Sequence, residues 1–201
     1  MMADYLESLN PPQREGVIHT EGPCMLIAGA GSGKTRVLTF RIAHLIRQQN
    51  VDPFNIMALT FTNKAAKEMR ERVESVVGND ARNLWMGTFH SVFARILRAE
   101  AERLGYPTNF TIYDTDDSKS LIKTILKEQN LDDKAYKPGL VLSRISSAKN
   151  NLISAGAYQM NSTITEEDRM SGKPKMGMIY ELYAARCKKA GAMDFDDLLF
   201  N

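Results

Sequence analysis

Cysteine is scarce in this chain. Only Cys24 and Cys187 occur among 201 residues. They stand far apart and share no metal or redox spacing, which excludes a disulfide framework and a zinc site. Both sit in apolar patterns that read as buried thiols of a reducing compartment. An excess of charge is lacking too. Twenty-six Lys and Arg against 24 Asp and Glu leave a formal net charge of +2, so no overall basic character announces a nucleic-acid partner, and such binding has to come from local patches. No apolar run approaches the length of a membrane span. The start, Met1-Met2-Ala3-Asp4-Tyr5-Leu6-Glu7, has neither the basic residues nor the apolar stretch of a secretion signal. Internal repeats and low-complexity tracts are absent. These features predict a cytoplasmic chain without membrane contact, long enough for one large domain or two small ones.

What is present is more specific. Ala28-Gly29-Ala30-Gly31-Ser32-Gly33-Lys34-Thr35 follows the apolar run Cys24-Met25-Leu26-Ile27 and leads into a helical pattern. It matches G-x-x-x-x-G-K-[ST] apart from Ala28 at the first position, the context of a phosphate-binding loop. Small residues let the backbone curl so that successive N–H groups point inward as an anion nest. The next helix adds its positive N-terminal end. Lys34 can then reach the β- and γ-phosphates, and the Thr35 hydroxyl can help hold Mg²⁺. The competing reading is a glycine-rich turn that binds nothing. The context favours a nucleoside triphosphate.

The first ninety residues alternate in the α/β manner. Strands are expected at Cys24–Ala28, Ile56–Phe61 and Leu84–Phe89, the second apolar enough to be buried on both faces. Val37, Leu38, Ile42, Leu45 and Ile46 share one helical face, and Ala66, Met69, Val73, Val76 and Val77 another, capped by Thr62 or Asn63 and stopped by Gly78. This order predicts a parallel sheet with helices on its faces. After His90 the pattern turns helical: a stripe of Val92, Phe93, Ile96, Leu97 and Leu104 closed by Gly105 and Pro107, a second through Leu121, Ile122, Ile125 and Leu126, then helices over Gly139–Leu152 and Pro174–Lys189. Thr163–Lys175 is polar, contains Gly172 and Pro174, and reads as a loop.

Candidate chemistry beyond the loop is sparser. An acid to hold Mg²⁺ through water is expected at the end of a second apolar strand. Asp114 ends the run Phe110-Thr111-Ile112-Tyr113, but the acidic residues after it favour a helix cap. Asp196 and Asp197 precede apolar residues instead of following a strand. Gln13 carries an amide that can read an adenine edge, or simply face solvent. Phe61 and Phe89 end predicted strands, where a parallel sheet opens its ligand-binding edge. They read either as core or as stacking faces for bases, with Asn63, Lys64 and His90 near phosphates.

In combination these segments are familiar. Gln13, Ala28–Thr35 followed by Arg36, Thr60-Phe61-Thr62-Asn63-Lys64-Ala65-Ala66, Gly87-Thr88-Phe89-His90-Ser91, then Met193-Asp194-Phe195-Asp196-Asp197-Leu198 resemble, in that order, the UvrD/Rep/PcrA group of superfamily 1 DNA helicases. The resemblance runs from about Leu9 to the C-terminus. It implies a RecA-like P-loop sheet, incomplete here, with an inserted all-helical subdomain: residues 1–90 in motor domain 1A, 91–191 as subdomain 1B, and 192–201 returning to 1A. It implies that Gln13 contacts adenine, that Ala28, Gly29, Ala30, Gly31, Ser32 and Gly33 cradle the phosphates, and that Lys34, Thr35 and Arg36 contact phosphates and Mg²⁺. It also implies that Phe61, Asn63, Lys64, His90 and Phe195 face single-stranded DNA.

The same resemblance implies ATP and Mg²⁺ as cofactors and single-stranded DNA and duplex junctions as partners. It implies a 3′-to-5′ ATP-dependent motor whose second domain and Asp-Glu box lie beyond the motifs present here. The 201 residues alone are therefore expected not to turn over ATP. A non-catalytic nucleotide- or DNA-binding module is the alternative, and a P-loop kinase or GTPase would leave Thr60–Lys64 unexplained. A sheet without its remaining strands is also expected to leave an edge and part of an apolar face uncovered.

Overall fold

The computed structural model describes residues 5–201, which fall into two units, one ending at Val92 and one spanning Phe93–Asn201. In the first, Asn10 starts helix α1 (Pro11–Ile18) with a capping box: its side chain accepts from the Gln13 N–H, and Gln13 Oε1 accepts from the Asn10 N–H. Helix α2 (Lys34–Arg47) follows the glycine-rich loop. Arg41 on α2 donates to the carbonyls of Gly16 and His19, which ties α1 to α2.

Strand β1 (Met57–Thr60), helix α3 (Asn63–Val77) and strand β2 (Trp85–Thr88) form a parallel unit in which Met57 pairs with Trp85 and Thr60 with Thr88. Thr62 caps α3 by accepting from the Ala65 N–H, and Gly78 ends it at a φ of 70°. Met69, Val73 and Val77 recur every four residues and are buried against Ile42, Ala43, Ala58 and Met86. A charge at Val73 would have no partner there and would undo this packing.

Three expectations for this unit fail. Cys24–Ala28 forms no strand: β1 and β2 pair only with each other, and a strand needs a ladder partner as well as an apolar sequence. Its side chains are exposed, Met25 at 82% and Ile27 at 89%, and Cys24 is an exposed thiol where a buried one was expected. Nor is β1 buried on both faces, since Met57 points outward while Ala58 is buried.

Helix α4 (Phe89–Ala99) leads into the second unit. Gly105, at a φ of 67°, closes the 3₁₀ turn after it. Strand β3 (Thr111–Tyr113) pairs in parallel with strand β4 (Ala192–Asp194), Tyr113 opposite Asp194. Between them run α5 (Thr115–Glu128), α6 (Pro138–Asn150), α7 (Ala155–Met160), α8 (Ser162–Met170) and α9 (Met176–Lys189). A short helix, α10 (Asp197–Phe200), follows β4. The core gathers Ile122, Ile125, Val141, Ile145, Ile179 and Tyr183, each aliphatic member contributing about 1.5–3 kcal/mol on burial.

Asp114 is the N-cap of α5, accepting from the N–H groups of Asp116 and Asp117, as its neighbours suggested. The loop expected over Thr163–Lys175 is instead largely α8. Asn161 caps it, Arg169 pairs with Glu166 one turn back, and the buried Asp168 accepts from the Tyr158 hydroxyl. Polar contacts hold this helix, so hydrophobic periodicity gave no sign of it.

Candidate functional site

The loop before α2 turns on two glycines, Gly31 at a φ of 77° and Gly33 at 88°. Both lie in the left-handed region, where a side chain is strained. Gly33 is the N-cap of α2 and no side chain caps the helix, so its first-turn N–H groups face outward at the positive end of the helix dipole. A Cβ at 33 would stand 2.7 Å from Gln13 Nε2, the end of a flexible side chain that would have to move aside.

Gln13 reaches this loop directly. Its Nε2 donates to the Ser32 carbonyl at 2.9 Å while its Oε1 stays in the α1 cap. The Lys34 ammonium donates back to the carbonyls of Ala28 at 2.9 Å and Gly29 at 2.7 Å. The Ser32 hydroxyl donates to the Gly29 carbonyl at 2.7 Å. An open cleft of about 520 Å³ lies alongside, lined by Asn10, Gln13, Leu26, Gly29, Ser32 and Lys34 among others. Thr35 and Arg36 are exposed in the first turn of α2, with the Arg36 guanidinium 5.6 Å from the centre of the Phe40 ring. Ala30 is exposed at the tip.

These residues suit a polyphosphate: outward N–H groups, a lysine ammonium and an amide beside them. For a divalent cation, Thr35 supplies a hydroxyl in the right turn. Among the described residues no group of three or more His, Cys, Asp or Glu side chains could hold a metal ion.

At the C-terminal ends of β1 and β2, Phe61 and Phe89 meet with ring centres 5.4 Å apart and planes tilted by 33°. Phe61 is 89% exposed, so the core reading does not hold for it, while Phe89 is half-buried beneath it. Asn63 and Lys64 are exposed in the first turn of α3. His90 follows Phe89, half-buried, at the start of α4. Thr88 and Ser91 lock that turn: the Thr88 hydroxyl accepts from the Ser91 N–H, and the Ser91 hydroxyl donates to the Thr88 carbonyl. Phe195, 51% exposed, lies in the second unit, in the turn between β4 and α10.

Comparison with known proteins now bears on this geometry. The family model of the UvrD/REP helicase N-terminal domain matches residues 9–201. The chain belongs to this family. It is 45% identical over 198 residues to the ATP-dependent DNA helicase PcrA of Staphylococcus aureus strain Mu50, and 46% identical over 198 residues to that of Staphylococcus epidermidis strain ATCC 12228. Each alignment covers 98% of this chain and 26% of the relative, so the chain spans about a quarter of their length. The matched span includes the positions of all the segments named above, from Gln13 to Asp197. Among the described residues no helix is long and apolar enough to cross a membrane.

Sequence reasoning missed one feature of the second unit. Lys149, on α6, is buried with its ammonium 2.7 Å from both Asp194 Oδ2 and Asp197 Oδ1. A lysine on a helix ordinarily signals solvent, and nothing within α6 points to carboxylates more than forty residues away. Burial alone would lower its pKa, but the charges of Asp197 and Asp194 outweigh that and hold it above the ordinary lysine value. Asp194 is held below the usual carboxylate range because Lys149 outweighs its burial. Asp197 is pushed up by burial, with the charge of Asp194 adding to it.

Proposed function

We propose that this chain is the ATP- and single-stranded-DNA-binding N-terminal part of a 3′-to-5′ ATP-dependent DNA helicase, acting in the cytoplasm on single strands and duplex junctions. The observation that carries the reading is the bond from Gln13 to the loop carbonyl of Ser32. It sets an amide able to pair with an adenine edge at the mouth of a phosphate cradle. In this reading the N–H groups of Gly29–Thr35 and the Lys34 ammonium bind the ATP phosphates, Arg36 adds a second cation, and Thr35 holds Mg²⁺ together with phosphate oxygens. The metal would offset phosphate charge as the terminal group leaves. Phe61 stacks on a base, Asn63, Lys64 and His90 take the adjoining backbone, and Phe195 offers a second stacking face.

The first unit is then the start of a RecA-like motor domain 1A, the helices up to residue 191 are subdomain 1B, and 192–201 return to 1A. In this reading the 201 residues, which span about a quarter of their relatives' length, bind ATP without by themselves turning it over. Fluorescent ATP analogue should bind the wild-type chain with Mg²⁺ present and lose most of its affinity in Lys34→Ala. Unchanged binding by Lys34→Ala removes the nucleotide reading. Steady hydrolysis by the 201-residue chain, stimulated by single-stranded DNA, overturns the assignment of inactivity.

A further inference from the structure

The turn from Asp194 to Asp197 is held from within and from below. Asp197 Oδ2 accepts from the Asp194 N–H at 3.1 Å, and Asp194 Oδ1 accepts from the Asp197 N–H at 2.9 Å. That reciprocal arrangement brings two buried carboxylates side by side, where their charges repel. Lys149 bridges them at 2.7 Å to each and is itself only 4% exposed. Tyr183 Oη stands 2.9 Å from Asp194 Oδ2 and 3.0 Å from Ser118 Oγ. With one proton, it donates to the carboxylate and accepts from the serine. The next residue on α6, Asn150, donates from Nδ2 to Asp196 Oδ1 at 3.2 Å. Three of the four turn residues are thus held by neighbouring residues of one helix. The fourth, Phe195, carries its ring half-exposed at the rim of a cleft of about 280 Å³ lined by Tyr113, Leu142 and Ser146 among others.

We propose that Lys149, with Asn150 beside it, is a positioning residue for Phe195, clamping the turn so that the ring is presented for stacking on a single-stranded base. The inference rests on the reading of Phe195 as a DNA-facing residue. Without Lys149 the carboxylates are buried and unpaired. The turn opens to let one of them reach water, and Phe195, one peptide bond from Asp194 and two from Asp197, loses its orientation.

The test uses the 201-residue chain and an oligo(dT) strand carrying 2-aminopurine, whose fluorescence is quenched by stacking. Affinity comes from titration and stacking from the quench at saturation. Phe195→Ala should weaken binding roughly 5- to 150-fold, the range for one base on an aromatic ring, and relieve the quench. Lys149→Met should relieve the same quench, and the double variant should lose no more than Phe195→Ala alone. A full quench in Lys149→Met, or losses that multiply in the double variant, overturns the clamp. An unchanged quench and affinity in Phe195→Ala overturns the DNA-facing reading itself. If Lys149→Met gives no cooperative unfolding transition, Asn150→Ala decides by the same comparison: a relieved quench absent from the Phe195→Ala background supports the clamp, and a full quench rejects it.

Discussion

Replacing Gly33 by alanine separates two roles that the glycine fills at once. At a φ of 88°, a residue with a Cβ is strained by about 1–2 kcal/mol. The new Cβ would stand 2.7 Å from Gln13 Nε2, so the amide must leave and its bond to the Ser32 carbonyl is lost, about 0.5–1.5 kcal/mol net. Stiffening the unfolded chain returns roughly 0.4–1 kcal/mol. The sum is a destabilisation of about 0.5–3 kcal/mol, centred near 2. In a Gln13→Ala background the obstacle and the bond are both gone, and the same substitution should cost less by the bond term, about 0.5–1.5 kcal/mol. Urea unfolding followed through Trp85 suits the measurement, because the chain has one tryptophan and it sits on β2 of the first unit. Effects of the two substitutions that simply add, within the usual scatter of about 0.3–0.5 kcal/mol, would refute the steric link between Gln13 and the loop.

Three more outcomes follow from the geometry. Phe61→Ala should leave urea stability nearly unchanged, because the ring is exposed, while single-strand affinity falls by about 1–3 kcal/mol; a large stability loss instead would return Phe61 to the core. A thiol reagent should modify Cys24 quickly and Cys187 only on unfolding, so two equally fast reactions would contradict the burial of α9. Alkali should selectively unfold the second unit. Burial pushes Cys187, Tyr106 and Tyr180 up to about 12 from 9.0, 10.0 and 10.0, and Lys149 lies above 10.5. Each folded-state value is raised, so the stability these groups contribute is complete below the unfolded values and is lost as pH rises through the folded ones. Circular dichroism of the helices between pH 9 and pH 12 checks this, and a flat profile would be the contrary result.

Local chemistry accounts for what could be read from the sequence. The cap of α3, expected at Thr62 or Asn63 and found at Thr62, the stop at Gly78 and the cap at Asp114 depend on residues close in sequence, and each stands where the sequence puts it. The parallel pairing of β1 with β2 followed from two apolar runs flanking one amphipathic helix. What escaped depends on distant partners. The run at Cys24–Ala28 carries a strand's composition, but composition does not supply a neighbour. Helix α8 is held through Asn161, Glu166 and Asp168, polar residues that in sequence signal a loop. Lys149 is buried only because Asp194 and Asp197 meet it. At the glycine-rich loop the motif names the residues, but the contact of Gln13 with the Ser32 carbonyl depends on how α1 packs beside the loop.

The two bonds from the Lys34 ammonium to the carbonyls of Ala28 and Gly29 have a kinetic consequence. A phosphate that recruits this lysine competes with the loop's own oxygens, so binding proceeds through a pre-equilibrium in which the ammonium first lets go. Bonds worth about 0.5–1.5 kcal/mol each leave the released form a minority of roughly 1–15%, and the apparent affinity is weakened by the same fraction. Because an exposed side chain lets go far faster than nucleotide arrives, stopped-flow association rates should still rise in proportion to nucleotide concentration, with a slope lowered by that fraction.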